Sequence, residues 1–428
     1  MKSGLSFLVG ALRCEIDELA QLARTSEGVA TLCRLVHALQ RERGISNVLL
    51  ASGGQRFVAQ RDAQIAECQR LEHAVRVAFD QLHAEGGRIG NGARLFSRIA
   101  WVLPGLEALP ELRRRIGALE IDAARSTAAF VKLIAGLIAV VFEAADGATD
   151  PEISRLLVAL FNFMQGKEFA GQERACGAAA FASGRNDGTR QQQWLHLIAS
   201  QEHCFERFTD FAAPALAQAW VSVQAPAQLA ELERLRRIAC AAPAGVALDT
   251  ELSQDWFDCC TRRIDAMQAI EERLAADLRE LCVHKTAQAR TELQAHEALL
   301  DGLQGENGAA ADLFLDTVAT PDAVPGTPSP AGSAAYGRQL ERSILDMVQE
   351  QSRRLQAMGD ELDTVRAALN ERKLVERAKG LLMAHRRVSE EEAHKMLRQT
   401  AMNQGRRLVE VAESVLAMAE YLPAGKAP

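Results

Sequence analysis

The sequence predicts an all-α chain: two helical bundles forming a sensor body, a long coiled-coil-like helix and a small three-helix C-terminal domain. Three observations lead there. Apolar residues recur at threes and fours through long stretches, and no period-two alternation is sustained. The composition is rich in Ala and Leu, with 5% aromatic and 25% charged residues, which suits helices packed on helices. Gly and Pro gather at joints rather than spreading through the chain.

The joints come in order. Ser52-Gly53-Gly54, Glu85-Gly86-Gly87, Ala145-Asp146-Gly147, Ser183-Gly184, Ala242-Pro243-Ala244-Gly245 and the stretch from Gly302 to Gly308 divide residues 1–310 into long helices. Helices of that length favour bundles. Residues 311–335 change character to Pro, Ser, Ala and Gly, the composition of a flexible linker. Over 336–370, Leu340, Ile344, Met347, Gln351, Leu355, Met358, Leu362, Val365 and Leu369 mark a seam with one polar slot. That pattern predicts a coiled coil and hence a homodimer, with a single amphipathic helix lying on the sensor as the alternative.

Residues 371–428 complete the chain. Leu374, Ala378, Leu381 and Leu382 form one apolar helical face. Ser389-Glu390-Glu391-Glu392 reads as a capping box opening a second helix, which buries Ala393, Met396 and Leu397. After the turn Asn403-Gln404-Gly405, a third helix buries Leu408, Val411, Ala412 and Val415. From Arg372 to Arg407 ten Lys and Arg face four Glu, a local charge of +6; the whole chain carries −7, so the remainder sums to −13. A basic module on an acidic body points to a polyanionic partner.

One internal repeat stands out. Gln40-Arg41-Glu42-Arg43-Gly44 leads to Ala51-Ser52-Gly53, and Gly171-Gln172-Glu173-Arg174-Ala175 leads to Ala182-Ser183-Gly184. Each Arg stands about two turns before a helix end, among small residues that let helices approach closely. The repeat predicts two similar bundles facing each other, with Arg43 and Arg174 as counterparts. Two guanidiniums in one helical core repel by roughly 3 kcal/mol at about 6 Å and an effective dielectric near 20. A small planar oxyanion between them reverses that sign and matches the guanidinium fork. The alternative is that each Arg pairs with a carboxylate of its own or a neighbouring helix.

Other classes find little support. Nine Cys in an odd count, with no C-x-x-C, indicate neither a zinc site nor a disulfide framework; they read as reduced core thiols of a cytoplasmic protein. No signal peptide is legible, and the most apolar run, Phe130 to Phe142, contains Lys132 and is too short to span a bilayer. No nucleophile–base pairing, cofactor motif or Gly-rich phosphate loop is legible, so no enzyme, metal or cofactor is expected.

Two resemblances follow from these motifs. Arg377-Ala378-Lys379-Gly380-Leu381-Leu382-Met383, Ser389 with Glu392-Ala393, Leu397-Arg398, Ala401-Met402, and Leu408 with Val411-Ala412 together resemble the ANTAR domain. That family binds nascent RNA hairpins and prevents transcription termination. The resemblance implies that Lys379, Gly380, Arg398, Ala401, Met402, Arg406 and Arg407 lie on or beside the RNA surface. Tyr421 is the one aromatic residue there, so hairpin shape and phosphate contacts, rather than base stacking, would carry recognition. Residues from about Gln40 to Leu281 resemble the NIT domain, a nitrate- and nitrite-sensing module, through the two repeat motifs and Trp256 with Arg262-Arg263-Ile264. The resemblance implies arginine coordination of nitrate at Arg43 and Arg174. A third arginine is expected in Glu233-Arg234-Leu235-Arg236-Arg237, with Arg236 chosen and Arg237 next; Arg41 has no assigned role.

The combined expectation is a cytoplasmic one-component regulator. Nitrate or nitrite would release the tail to bind a leader-RNA hairpin, acting indirectly on the RNA polymerase elongation complex. The rival expectations are a DNA-binding transcription factor and a protein-binding helical adaptor. Against the first, the last helix is acidic, with Glu410, Glu413 and Glu420.

Overall fold

The computed structural model describes residues 4–84, 92–146, 148–185, 188–241, 246–304, 333–386, 388 and 390–419. Twelve helices and no strand occur among them: α1 (Gly4–Ala51), α2 (Val58–Ala84), α3 (Gly92–Gly117), α4 (Ala123–Asp146), α5 (Pro151–Ser183), α6 (Gly188–Phe211), α7 (Pro214–Val223), α8 (Pro226–Ala241), α9 (Leu252–Gln304), α10 (Ser333–Arg386), α11 (Glu390–Gln404) and α12 (Leu408–Ala419). The fold is all-α. The linker expected at 311–335 falls mostly outside the described residues, as does Ser389 of the expected capping box.

The repeated Ala-Ser-Gly motifs are helix terminators. At the end of α1 the Gly54 amide donates to Leu49 O at 2.9 Å and the Gly53 amide to Leu50 O at 3.2 Å. At the end of α5, Gly184 takes φ 62° and its amide donates to Phe181 O. A residue with a Cβ resists that left-handed conformation, hence glycine in both copies. The start of α5 is fixed as firmly: Asp150 caps it, accepting from the Ile153 amide at 3.0 Å, with Pro151 in the first turn.

α1 packs against α2, α4 and α9, and α5 packs against α6, α9 and α4. The hydrophobic core does not divide cleanly between two bundles. One continuous cluster runs through α1–α5 and α9, including Leu35, Leu39, Phe130, Leu137, Ile153, Phe163 and Leu274. A second cluster, with Phe181, Trp194, Leu235 and Trp256, fills the far end of α5 against α6, α8 and α9. The long α9 touches both α1 and α5 and ties the two regions together.

α4 extends the apolar run beyond Phe130–Phe142. Ala123–Ala144 is long and apolar enough to cross a membrane by length and composition, yet more than half of its most apolar window is buried inside the protein. Its apolarity follows from packing against α1, α3 and α5 at once.

α10 is a single helix of 54 residues running straight into the C-terminal domain. Among its described side chains the C-terminal part of the expected seam faces the chain's own sensor, while Leu355 is exposed. Val365 joins the main core, Leu362 is buried, Arg354 reaches Glu15 at 3.2 Å and Glu292 at 2.9 Å, and Arg366 donates to Ala148 O. Over this stretch the alternative of an amphipathic helix lying on the sensor describes the packing. The side chains of Leu340 to Gln351, and that of Leu369, lie outside the described residues. The C-terminal domain closes a small core of its own from Ala378, Leu397, Ala401, Val411 and Ala412.

Candidate oxyanion site and tail interface

Arg43 and Arg174 come together. Each guanidinium lies over the other motif's glycine: a Cβ on Gly171 would sit 2.5 Å from Arg43 Nη2, and one on Gly44 would sit 2.8 Å from Arg174 Nη2. A side chain at either glycine would push the facing guanidinium aside, so both glycines leave room for the arginines to cross between α1 and α5.

The two arginines differ in what they hold. Arg43 is fully buried and forks onto Glu168 of α5, with Nη1–Oε1 at 2.5 Å and Nη2–Oε2 at 3.2 Å. Gln40 and Gln172 also donate to that carboxylate, at 2.9 and 3.0 Å. Arg174 has no carboxylate within ion-pair distance among the described residues. It donates from Nη1 to Thr261 Oγ1 at 3.0 Å and from Nη2 to Gln40 O at 3.4 Å, and lies 5.1 Å from the Phe257 ring centroid. Burial, and next the Arg43 charge, hold its pKa down at about 10 against an ordinary 12.5. A cation that is buried and weakened in this way is stabilised by an anion. Nearby, His37 Nδ1, Gln40 Oε1 and Ser46 Oγ are buried and find no partner among the described residues. Burial, then Lys167, Arg41 and Arg174, lower His37 to about 3, so it is neutral. The expected carboxylate pairing thus holds for one arginine of the repeat and fails for the other.

The motif glutamates obey the same twofold logic. Glu42 is clamped by Arg113 of α3 at 2.8 Å, which also reaches Glu72 of α2 at 2.6 Å. Glu173 is clamped by Arg236 of α8, both oxygens at 2.7 Å, and Arg236 also meets Glu233. Of the two arginines considered for a third position, Arg236 is buried and Arg237 exposed. Arg236 does not join the Arg43–Arg174 pair: its fork is spent on Glu173. Burial opposes charge on Glu173, yet the bonds from Arg236 hold its pKa below the usual carboxylate value. Two tryptophans pin the same segment. Trp194 Nε1 donates to Glu173 Oε1 and Trp256 Nε1 to Arg174 O, both at 3.0 Å, with the rings 4.8 Å apart edge to face. Trp256 is thus an anchor for the Arg174 backbone. Arg262 is exposed on Glu231, while Arg263 turns inward to Gln201. Glu168, His37 and Thr261 were not legible as site residues, because none belongs to the repeat and Glu168 is 125 positions from Arg43 in sequence.

The tail residues are distributed unevenly. Gly380, Arg398, Met402, Arg406 and Arg407 are exposed, Met402 at 68%. Arg406 pairs with Glu410 at 3.3 Å and Arg407 with Glu371 at 2.6 Å. Ala401 is buried in the small domain's core. Lys379 is only 7% exposed and meets Glu376 at 2.8 Å. Its charge acts on His394, which packs beside His196 of α6. Where the tail docks on the sensor, Arg372 donates to Asn162 and lies over Phe161, Lys373 lies over Phe142, Arg207 meets Glu371, Lys395 donates to Gln192, and His394 lies 5.0 Å from His196. α5 and α6 thus carry both the buried arginine–glutamate network and the docking contacts.

Comparison with known proteins agrees with this division. Residues 34–279 match the family described as nitrate and nitrite sensing, and residues 363–416 match the ANTAR domain family. The chain is 35% identical over 412 residues to the nitrate regulatory protein of Klebsiella oxytoca, covering 95% of this chain and 93% of that one. It is also similar to a solved structure of the NasR transcription antiterminator, at 32% identity and a TM-score of 0.59, covering 97% of this chain and 99% of that one.

Proposed function

Because the chain belongs to the family of non-enzymatic regulators that join a nitrate- and nitrite-sensing domain to an ANTAR domain, we propose that it binds nitrate or nitrite between α1 and α5 and answers by freeing its tail for a leader-RNA hairpin. The supporting observation is Arg174: a buried guanidinium beside a second one, with no carboxylate of its own among the described residues. A planar monoanion there would take N–H bonds from Arg174 and draw on the Arg43 charge across the same crossing. Arg236 acts at one remove, holding Glu173 and through it the Arg174 segment.

Coupling runs along two helices. Arg174 and Glu168 share α5 with Asn162 and Phe161, the partners of Arg372. Glu173 is held by Trp194 and Gln201 of α6, which also carries Gln192 and His196 against the tail. Anion binding that shifts α5 against α6 disturbs that seam. The docked form, with Lys379 covered, is the silent one. In the released form Lys379 joins Arg398, Arg406 and Arg407 on a basic face that binds hairpin phosphates. The protein works in the cytoplasm, as a homodimer, and lets RNA polymerase read through a terminator.

The test is a purified transcription assay on a template carrying a leader terminator, with and without nitrate. Read-through that rises with nitrate and needs the hairpin is expected. Terminator escape indifferent to both anions, or tight sequence-dependent binding to duplex DNA instead of hairpin RNA, would overturn the reading.

A further inference from the structure

We infer that Glu168 is the specificity-determining residue of this site: it fills the fork of Arg43 and leaves the chamber one positive charge, so that the site accepts a monoanion and rejects a dianion. The inference rests on the oxyanion reading above and deepens it.

The Glu168 carboxylate is a planar, two-oxygen monoanion, buried to 1%, that accepts four N–H bonds from Arg43, Gln40 and Gln172. It engages Arg43 as a trigonal oxyanion would, fork to fork. The chain therefore supplies one anion itself. Arg174, across the α1–α5 crossing, is left to an anion from outside.

Within the chamber, Arg43 and Arg174 contribute two positive charges and Glu168 one negative. His37 is neutral. Lys167 is matched by Glu271 at 2.6 Å, both fully buried. Asp265 is on the surface, and Glu173 and Glu233 together match Arg236 and the inward-turned Arg263. The sum is +1, which one nitrate or nitrite cancels. A sulfate or hydrogen phosphate dianion would leave an unmatched buried negative charge, which is heavily penalised in a low-dielectric interior. The built-in carboxylate also repels any incoming anion, so it lowers affinity while it sets valence.

The experiment is isothermal titration of the full-length chain with nitrate and with sulfate, in wild type, Glu168→Gln and Glu168→Asp. Glu168→Gln keeps the side chain's shape and raises the chamber to +2. Nitrate should bind it at least tenfold tighter, and sulfate, rejected by the wild type, should bind measurably. Glu168→Asp keeps the charge and should go on rejecting sulfate. Where Glu168→Gln fails to fold, the paired variant Arg43→Met with Glu168→Gln restores +1 and should reject sulfate; sulfate binding there would overturn the charge count. Nitrate binding to Glu168→Gln that is unchanged or weaker, with sulfate still excluded, would reduce Glu168 to a prop for Arg43 while the oxyanion reading stands. A wild type that takes up neither nitrate nor nitrite would remove both.

Discussion

Replacing Arg174 by Met removes its charge and keeps most of its volume. In the folded chain the guanidinium pKa drops from 12.5 to about 10; at 1.36 kcal/mol per unit, that opposes the charged form by about 3 kcal/mol. The sign is that of a base with a depressed pKa. The destabilisation is present at every pH below about 10 and fades only as pH rises through that value toward the unfolded 12.5. Against the relief stand two hydrogen bonds, to Thr261 and to Gln40 O, worth about 1 kcal/mol each. Without nitrate the variant should therefore match the wild type or exceed it by about 1 kcal/mol. With nitrate at a hundred times its Kd, the wild type should gain about 2.7 kcal/mol and the variant none. Urea denaturation with and without nitrate reads both quantities. A variant that loses more than about 3 kcal/mol without nitrate would show that Arg174 is a satisfied structural cation. A variant that keeps the full nitrate-dependent gain would take Arg174 out of the site.

Arg236→Met strands Glu173 in the interior and should cost about 3–5 kcal/mol, with most of it regained when Glu173→Gln is added; chemical denaturation of both variants checks this. Arg398→Ala in the nitrate-loaded protein should weaken hairpin binding and lower the slope of log K against log salt by roughly one phosphate contact, read by titration across salt concentrations. Lys379→Ala should do the same in the isolated tail. Acid should loosen the docked tail. Burial, then His196 and Lys379, hold His394 down at about 4 against an ordinary 6.5, with Glu376 opposing and Arg398 reinforcing. Above about pH 6.5 docking is unaffected; between about 6.5 and 4 the undocked tail takes up a proton first, and docking weakens. Fluorescence transfer between α6 and α11 follows it, and a flat profile through that window would discount the histidine contact.

The arginine pair is legible in the sequence because both halves of the chain repeat one short motif with one spacing, and a repeat survives without knowledge of the contacts. The helix ends are legible for a similar reason: Gly53, Gly54 and Gly184 adopt conformations that other residues resist. What the repeat cannot reveal is its asymmetry. Six residues before Arg174, α5 carries the carboxylate of Glu168, which neutralises Arg43. At the matching place, six residues before Arg43, α1 carries only the neutral imidazole of His37. A carboxylate in one copy and an imidazole in the other decide which arginine stays unmatched, and neither residue belongs to the motif. The seam on α10 is ambiguous for a different reason. Apolar residues at threes and fours suit a partner helix and the chain's own sensor equally, and only the tertiary contacts of Leu362, Val365 and Arg354 separate the two. The docking seam is illegible because its polar members, Gln192, His196 and His394, are single residues on otherwise solvated faces.

The unbroken α10 has a mechanical consequence. At 1.5 Å per residue its 54 residues make a rod of about 80 Å. The stretch that grips the sensor and the first helix of the C-terminal domain belong to that one rod, with no joint between them. In the proposed release, prying up either end should lever the other, so detachment should proceed as one event rather than as a sequence of local openings. A regulator built this way should answer its signal steeply, and two glycines inserted near Asn370 should blunt that response without touching either end.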